Sequence, residues 1–328
     1  MMNGVMTPPL TLTELDTASA IIRKVLPPTP QYHWPLLSQR AGAEIWVKHE
    51  NHLPTGAFKV RGGVLFMSRL KEQGVKAVVA ATRGNHGQSL AYAARLLGMR
   101  ATIVVPQGNS SEKNSAMRAW GAELIEHGAD FQAALEHANA LANERRLQFV
   151  PSFALELVCG VASYALEFFR GAPELNAVYV PIGLGSGICG MIAARDALKL
   201  DTEIVGVVAD GAPCYAESFR EGRVISTAAA QTMADGIACR VPDPTAFEII
   251  QNGAARIVRV TDAQIQAAMR HYFSDTHQIA EGAGAAGLAG ALAERPQIAG
   301  KRIGVVLSGG NVDRGLYASI LEADSVSG

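Results

Sequence analysis

"ENHLPTGAFKVRGG", residues 50–63, puts a lysine where an ordinary loop has no need of one. The first half is polar and interrupted by Pro54 and Gly56, which marks a turn. The second half, from Lys59 onward, reads as the start of a helix, and Lys59 stands directly behind Phe58 at the junction. Lysines are usually solvated, so Lys59 alone carries little; the stretches that follow it along the chain decide the reading.

Working outward, β-branched runs alternate with helical patterns. "VKAVVAAT" (75–82) predicts a strand, and "GQSLAYAARLLG" (87–98) predicts a helix with Leu90, Ala93, Ala94 and Leu97 on one face. "ATIVVP" (101–106), a helix over 112–120, "AELIEH" and a helix near 130–146 continue the alternation. Beyond Phe149 come a helix over 156–169, strand "AVYVPIG" (177–183), a helix over 188–199 and strand "EIVGVVAD" (203–210). "ARIVRVTD", a helix to about Ser274, the Ala/Gly tract 282–293 and strand "RIGVVLSGG" (302–310) complete the pattern. Repeated strand–helix–strand units with apolar strands predict an α/β fold of parallel sheets covered on both faces. In such folds ligands sit beyond the C-terminal ends of the strands. Close helix packing is the expected use of the Ala/Gly tract.

Composition narrows the class. The chain has 328 residues, 48% hydrophobic and 18% charged, enough for a large core and for two domains or one big one. A net charge of −1 gives no reason to expect a nucleic-acid or anionic-membrane partner. No apolar run reaches about 18 residues, so no membrane span is expected. The start "MMNGVMTPPLTLTELD" lacks the basic-then-apolar pattern of a secretory signal. Cys159, Cys189, Cys214 and Cys239 are scattered without a C-x-x-C pair, which predicts neither a disulfide framework nor a zinc site. A reducing cytoplasm is the simplest setting.

Four loops at strand ends carry residues that loop-making does not require: "TGAFKVRG" around Lys59, "ATRGNHGQS" (81–89), "PIGLGSGICG" (181–190) and "LSGGN" (307–311). Asn85 has a plainer use as a helix cap, and His86 as a satisfied polar group. The third loop, a glycine-rich turn into a helix, suits an anion on backbone N–H groups. It also contains a competing signal. "GSGICG" (185–190) fits G-x-G-x-x-G after a strand, and Asp210 follows at the end of the next strand, the layout of a dinucleotide site. Taken alone, that loop would indicate an NAD-dependent dehydrogenase.

The four loops together decide otherwise. In order and spacing, "GAFKVRG", "TRGNHG", "GLGSG" and "SGGN", with "ADGIA" (234–238) and "EGAGAAGLA" (281–289), resemble the fold type II pyridoxal-phosphate enzymes. More narrowly, the chain resembles the serine/threonine dehydratase family, which includes threonine ammonia-lyase, serine racemase and hydroxyaspartate dehydratase. The likeness runs from about Pro28 to Leu321 and implies a tryptophan synthase β-like fold of two parallel-sheet α/β domains. Residues 1–52 plus 153–328 would form the large cofactor-binding domain, and 53–152 a smaller mobile one.

The resemblance implies that Lys59 holds pyridoxal 5'-phosphate as a Schiff base and, once freed, serves as the base at Cα. Lysine is nucleophilic only when deprotonated, so burial must lower its pKa. Positioned proton transfer contributes roughly 10²–10⁴ in rate. By the same carry-over, Phe58 lies near the pyridine ring and Asn85 reaches the ring hydroxyl. Backbone amides of Gly183, Leu184, Gly185, Ser186 and Gly187 cradle the phosphate, and Ser308 faces the ring nitrogen. A hydroxyl there cannot hold a pyridinium as a carboxylate would, which favours quick loss of a β-leaving group. Thr82, Arg83, Gly84, Asn85 and His86 are the expected substrate loop. The implied reaction removes water and ammonia from a 3-hydroxy amino acid to leave a 2-oxo acid, with the cofactor phosphate as acid for the departing hydroxyl. The alternatives are a β-replacement synthase, a dehydratase of hydroxyectoine breakdown, the dehydrogenase above and a non-enzymatic cofactor-binding or regulatory protein, against which the retention of Lys59, Asn85 and Ser308 speaks. A homodimer is the expected assembly, with a small-molecule amino acid as the substrate.

Three departures from the family pattern stand out. Arg83 replaces the serine that serves racemases as opposite-face acid. "VPSFALELVCGVAS" (150–163) lacks the His-Pro, acidic and Gly-Gln-Gly-Thr residues common there, so Pro151, Ser152 and Phe153 are expected to shape a different substrate wall. In "ADGAPCYAES" (209–218) Asp210 stands for a metal-ligating Glu, but Pro213 replaces the second carboxylate, so no metal is expected.

Overall fold

The computed structural model describes residues 9–323. Ten strands follow one another: β1 Gln31–His33, β2 Glu44–His49, β3 Ala77–Ala81, β4 Arg100–Val105, β5 Glu123–Glu126, β6 Gln148–Phe149, β7 Ala177–Pro181, β8 Glu203–Ala209, β9 Arg256–Val260 and β10 Arg302–Leu307. They form two sheets. One has six strands in the order β1-β2-β10-β7-β8-β9; the other has four in the order β5-β4-β3-β6. Every pairing is parallel except β1 with β2. The molecule is thus an α/β protein of two parallel-sheet domains, as the alternating pattern implies. The antiparallel strand β1 has no counterpart in the sequence reading, because three residues with no full apolar alternation leave too short a signal.

Burial explains the strand composition. All five residues of β7 are buried, and six of seven in β8, as parallel strands covered on both faces require. Helix Gly282–Ala293 crosses β7, β8 and β10, and its glycines allow contact at backbone distance. A Cβ on Gly284 would lie 2.2 Å from the Gly309 carbonyl, and one on Gly290 would lie 2.6 Å from Val207 Cγ2. The Ala/Gly tract is therefore a packing device. In helix Asn85–Leu97, Leu90, Ala93 and Ala94 are buried while Leu97 is half-buried.

Helix Lys59–Glu72 lies against helix Leu155–Gly171 with equally little between them. A Cβ on Gly62 would come 2.8 Å from the Leu157 carbonyl, and one on Gly160 would come 2.7 Å from the Arg61 carbonyl. Helix ends obey ordinary capping: Thr11 and Thr261 form capping boxes, while Ser110, Asp130 and Asp243 accept first-turn amides. All four cysteines are buried free thiols.

Candidate active site

The loop before Lys59 is sewn to the end of β10. Phe58 N–H donates to the Ser308 carbonyl at 3.0 Å, and Gly310 N–H donates to the Gly56 carbonyl at 2.9 Å. Ala57 and Gly309 add an isolated antiparallel bridge. Lys59 then opens its helix with Phe58 as the N-cap residue.

The turn carrying Lys59 is locked from below by Arg61, which is fully buried. Its guanidinium grips Glu50 at 2.7 and 3.0 Å and Glu167 at 3.0 and 2.8 Å. Lys48 Nζ also reaches Glu167 at 2.9 Å, so two cations face two carboxylates. Burial alone would lift the Glu167 carboxyl, but hydrogen bonds and charge from Arg61 hold it below its ordinary value. A shift of the Lys59 turn would leave a buried charge uncompensated, which is strongly unfavourable.

The amine this frame positions is unusual. Lys59 Nζ lies 3.3 Å from Ser186 Oγ and 5.5 Å from the centroid of the Phe58 ring. Burial pushes its pKa down to about 8, so a useful fraction is neutral, and hence nucleophilic, near neutral pH. Phe58 meets Tyr164 edge-on at 6.1 Å, and the Tyr164 hydroxyl donates to the Gly187 carbonyl at 2.9 Å.

The glycine-rich loop after β7 faces that amine. Gly185 caps helix Ser186–Ala197 with φ 104° and no side-chain hydrogen bond. First-turn amides of a helix have no intrahelical acceptor and carry its positive end. Side chains would obstruct the loop. A Cβ on Gly183 would fall 2.4 Å from the Gly236 carbonyl, and one on Gly185 would fall 2.8 Å from Ala246 Cβ. The Tyr215 hydroxyl holds the Leu184 carbonyl at 3.0 Å and fixes the curve. This is a cradle for an anion such as a phosphate.

The loop after β3 closes the other side. Thr82 is buried and its Oγ1 accepts the Gly84 amide at 3.2 Å. Arg83 is exposed, whereas His86 is buried with Nε2 unpartnered. Burial, then the charge of Lys59, drives the His86 pKa down to about 3, so its ring is neutral. Asn85 is held from two directions: Asn311 Nδ2 donates to its Oδ1 at 2.8 Å, and its Nδ2 donates to Glu281 Oε1 at 2.6 Å. The structure therefore brings Phe58, Lys59, Asn85, Ser186, Gly187 and the Ser308 loop together through these contacts, while Arg83, next to Thr82 in the loop, is exposed.

Glu281, Asn311, Lys113 and Asp235 were not singled out from sequence. Glu281 and Asn311 do fall in the quoted stretches "EGAGAAGLA" and "LSGGN", which offered a signal. Lys113, from helix Ser111–Ala119, pairs with Asp235 across the two sheets, and nothing local in sequence announces it. The competing dinucleotide reading loses its acid: Asp210 is exposed and its carboxylate is held by Arg259 Nε at 2.8 Å. Among the described residues no three His, Cys, Asp or Glu side chains gather to hold a metal.

The site has the parts of an enzyme that carries an aldehyde-bearing, phosphorylated cofactor: a neutralisable amine, an anion cradle at a helix start and an oriented amide between them. Comparison with known proteins agrees. Residues 22–309 match the model of the pyridoxal-phosphate dependent enzymes, and the chain belongs to that family. It is 32% identical to the L-threonine ammonia-lyase of Thermotoga maritima, over 95% of this chain and 78% of that one. It is 31% identical to the L-threo-3-hydroxyaspartate ammonia-lyase of Saccharomyces cerevisiae, over 93% and 94%. Among solved structures, maize serine racemase superposes with a TM-score of 0.90 at 26% identity, covering 97% of this chain and 99% of that one. The processed threonine deaminase isoform 2 of Solanum lycopersicum gives 0.87 at 28% identity, covering 98% of each chain. Pyridoxal phosphate is the cofactor, and the lowered amine, the side-chain-free cradle and the fixed Asn85 amide fit it.

Proposed function

We propose that this enzyme removes water and ammonia from a 3-hydroxy amino acid and leaves a 2-oxo acid, as its named ammonia-lyase relatives do. The observation that carries the reading is the Lys59 amine, buried to a pKa of about 8 and facing the glycine-capped helix start. Bound pyridoxal phosphate supplies a sink for the electron pair left at Cα. Lys59 would hold the cofactor through its ε-nitrogen and, as a free amine, would take the Cα proton. The backbone amides of Gly183, Leu184 and Gly185 in the loop and of Ser186 and Gly187 in the first helical turn would hold the cofactor phosphate, with Asn85 toward the ring hydroxyl and Ser308 toward the ring nitrogen. Phe58 packs beside the ring. Thr82, Gly84 and His86 line the substrate loop, and Arg83 receives a substrate carboxylate, for which its planar fork is suited. The four-stranded unit, 53–152, moves against the remainder to admit substrate. A homodimer in the cytoplasm is the working form; no helix among the described residues is long and apolar enough to cross a membrane.

The test is to supply serine, threonine and 3-hydroxyaspartate stereoisomers separately to the loaded enzyme and assay 2-oxo acid and ammonia. One of them should release both in equal amounts, and Lys59→Ala should release neither. Borohydride reduction followed by peptide mass spectrometry should find the cofactor on Lys59. Its presence on another lysine, or equal turnover by Lys59→Ala, refutes the assignment.

A further inference from the structure

Glu281 is 2% exposed and sits at the head of helix Gly282–Ala293, inside the cofactor space. Gly309 makes room for it: a Cβ there would lie 2.3 Å from Glu281 Oε1. Its two oxygens have different surroundings. Oε1 accepts from Asn85 Nδ2 at 2.6 Å, while Oε2 is buried without a hydrogen-bond partner. A buried carboxylate oxygen without a partner is costly unless a proton or a ligand donor meets it.

The contact with Asn85 also sets the amide's direction. Asn311 Nδ2 spends one hydrogen on the Thr55 carbonyl at 2.8 Å and the other on Asn85 Oδ1 at 2.8 Å. A flipped Asn85 would turn its N–H groups toward that donor. Asn85 therefore keeps Nδ2 toward Glu281, with its second N–H free for a ligand acceptor. The polar line from Thr55 through Asn311 and Asn85 ends on Glu281.

We propose that Glu281 is a positioning and proton-holding residue of the cofactor site, which orients the Asn85 amide through Oε1 and keeps a proton on Oε2 when the ligand is bound. The proposal rests on the reading that the cofactor ring hydroxyl lies against Asn85. An ionised Glu281 would place a negative charge on the far side of the Asn85 amide from the ring oxygen that this amide would receive; a protonated one does not. The groups facing it settle the balance. Burial raises its pKa to about 7, with Lys113 opposing, Asp235 adding and the Asn85 hydrogen bond opposing. Lys113 is shared among Glu281, Asp235 and Asp313, so its charge is not reserved for Glu281. His86, from the Asn85 helix, is neutral.

Glu281→Gln separates the two roles, because its Oε1 still accepts from Asn85 while its amide N–H₂ mimics the protonated oxygen at every pH. Pyridoxal phosphate affinity is measured by equilibrium dialysis against cofactor-free wild type, Glu281→Gln and Glu281→Ala on both sides of neutrality. Titration of the phosphate and of Lys59 is common to all three and cancels in the ratios. Wild type and Glu281→Gln should bind equally below neutrality. Above it Glu281→Gln should bind about tenfold tighter, the equivalent of one unit of displaced proton affinity. Glu281→Ala should bind more weakly throughout. Infrared difference spectra of the cofactor-free protein should show a protonated carboxyl that Glu281→Gln lacks. A ratio that does not change with pH, while borohydride places the cofactor on Lys59, overturns the proposal alone. Cofactor on a different lysine, or Asn85→Ala binding as tightly as wild type, overturns the underlying reading and the proposal with it.

Discussion

Replacing Glu281 by Gln should stabilise the cofactor-free chain, and by an amount that depends on pH in a definite way. The folded carboxyl titrates near 7 against an ordinary value of 4.5, chiefly because burial penalises its charge. A raised carboxylate pKa means that the unfolded chain ionises more readily. Below the ordinary value both states are protonated and the group has no effect. Between there and about 7 the folded state loses roughly 1.36 kcal/mol for every pH unit, and above 7 the loss stays constant. The whole displacement corresponds to about 3 kcal/mol. Glutamine cannot ionise, so the difference in unfolding free energy between Glu281→Gln and wild type should rise with pH to that plateau. Urea unfolding followed by tryptophan fluorescence, repeated across the acid-to-neutral range on both proteins, measures it; other titrations cancel in the difference. A flat difference curve, or one falling with pH, would refute the claim that this carboxyl is desolvated in the fold.

Three further outcomes follow from the same geometry. Arg61→Met should cost about 3–5 kcal/mol of stability, since it leaves Glu50 and Glu167 with Lys48 as their one nearby cation and only Thr29 as a further donor; a loss below about 1 kcal/mol in urea unfolding would show that the cluster does not lock the Lys59 turn. Gly185→Ala should cost about 1–3 kcal/mol and weaken cofactor binding, because φ 104° is strained for alanine and the new Cβ meets Ala246; unchanged affinity by dialysis would exclude this loop as the phosphate cradle. Wild-type enzyme should show negligible racemisation of recovered substrate by chiral chromatography, because a guanidinium such as that of Arg83 holds its protons too firmly to deliver one to Cα, and inversion at a rate comparable to 2-oxo acid release would count against that role.

Element type was legible wherever burial forces a pattern. The apolar runs around Val79, Ile103, Tyr179, Val207 and Val305 can only be strands of sheets covered on both faces, and each one is. Helix ends were less legible: the helix expected over 188–199 begins at Ser186, because Gly185 caps it through backbone conformation rather than through a side-chain cap. Strand β2 went unread because its parallel partner β10 lies hundreds of residues away, and β1, paired only with β2, is too short to show a pattern of its own.

The site divides the same way. Lys59, Asn85 and Ser308 were singled out by the resemblance of several ordered motifs, since alone each has a plainer use; only the glycine-rich turn into a helix also points to an anion through backbone chemistry. Glu281, Asn311 and Asp235 lay in motifs the sequence already marked but, like Lys113, were not picked out, since their partners come from distant parts of the chain. Sequence determined the parallel α/β class and the loops that bear chemistry, because periodicity and glycine placement are local physics. Only the tertiary structure decided that a glutamate heading one packing helix meets Asn85 at the start of another, with its second carboxyl oxygen buried and unpartnered, and it is that burial, not the residue type, that raises its proton affinity.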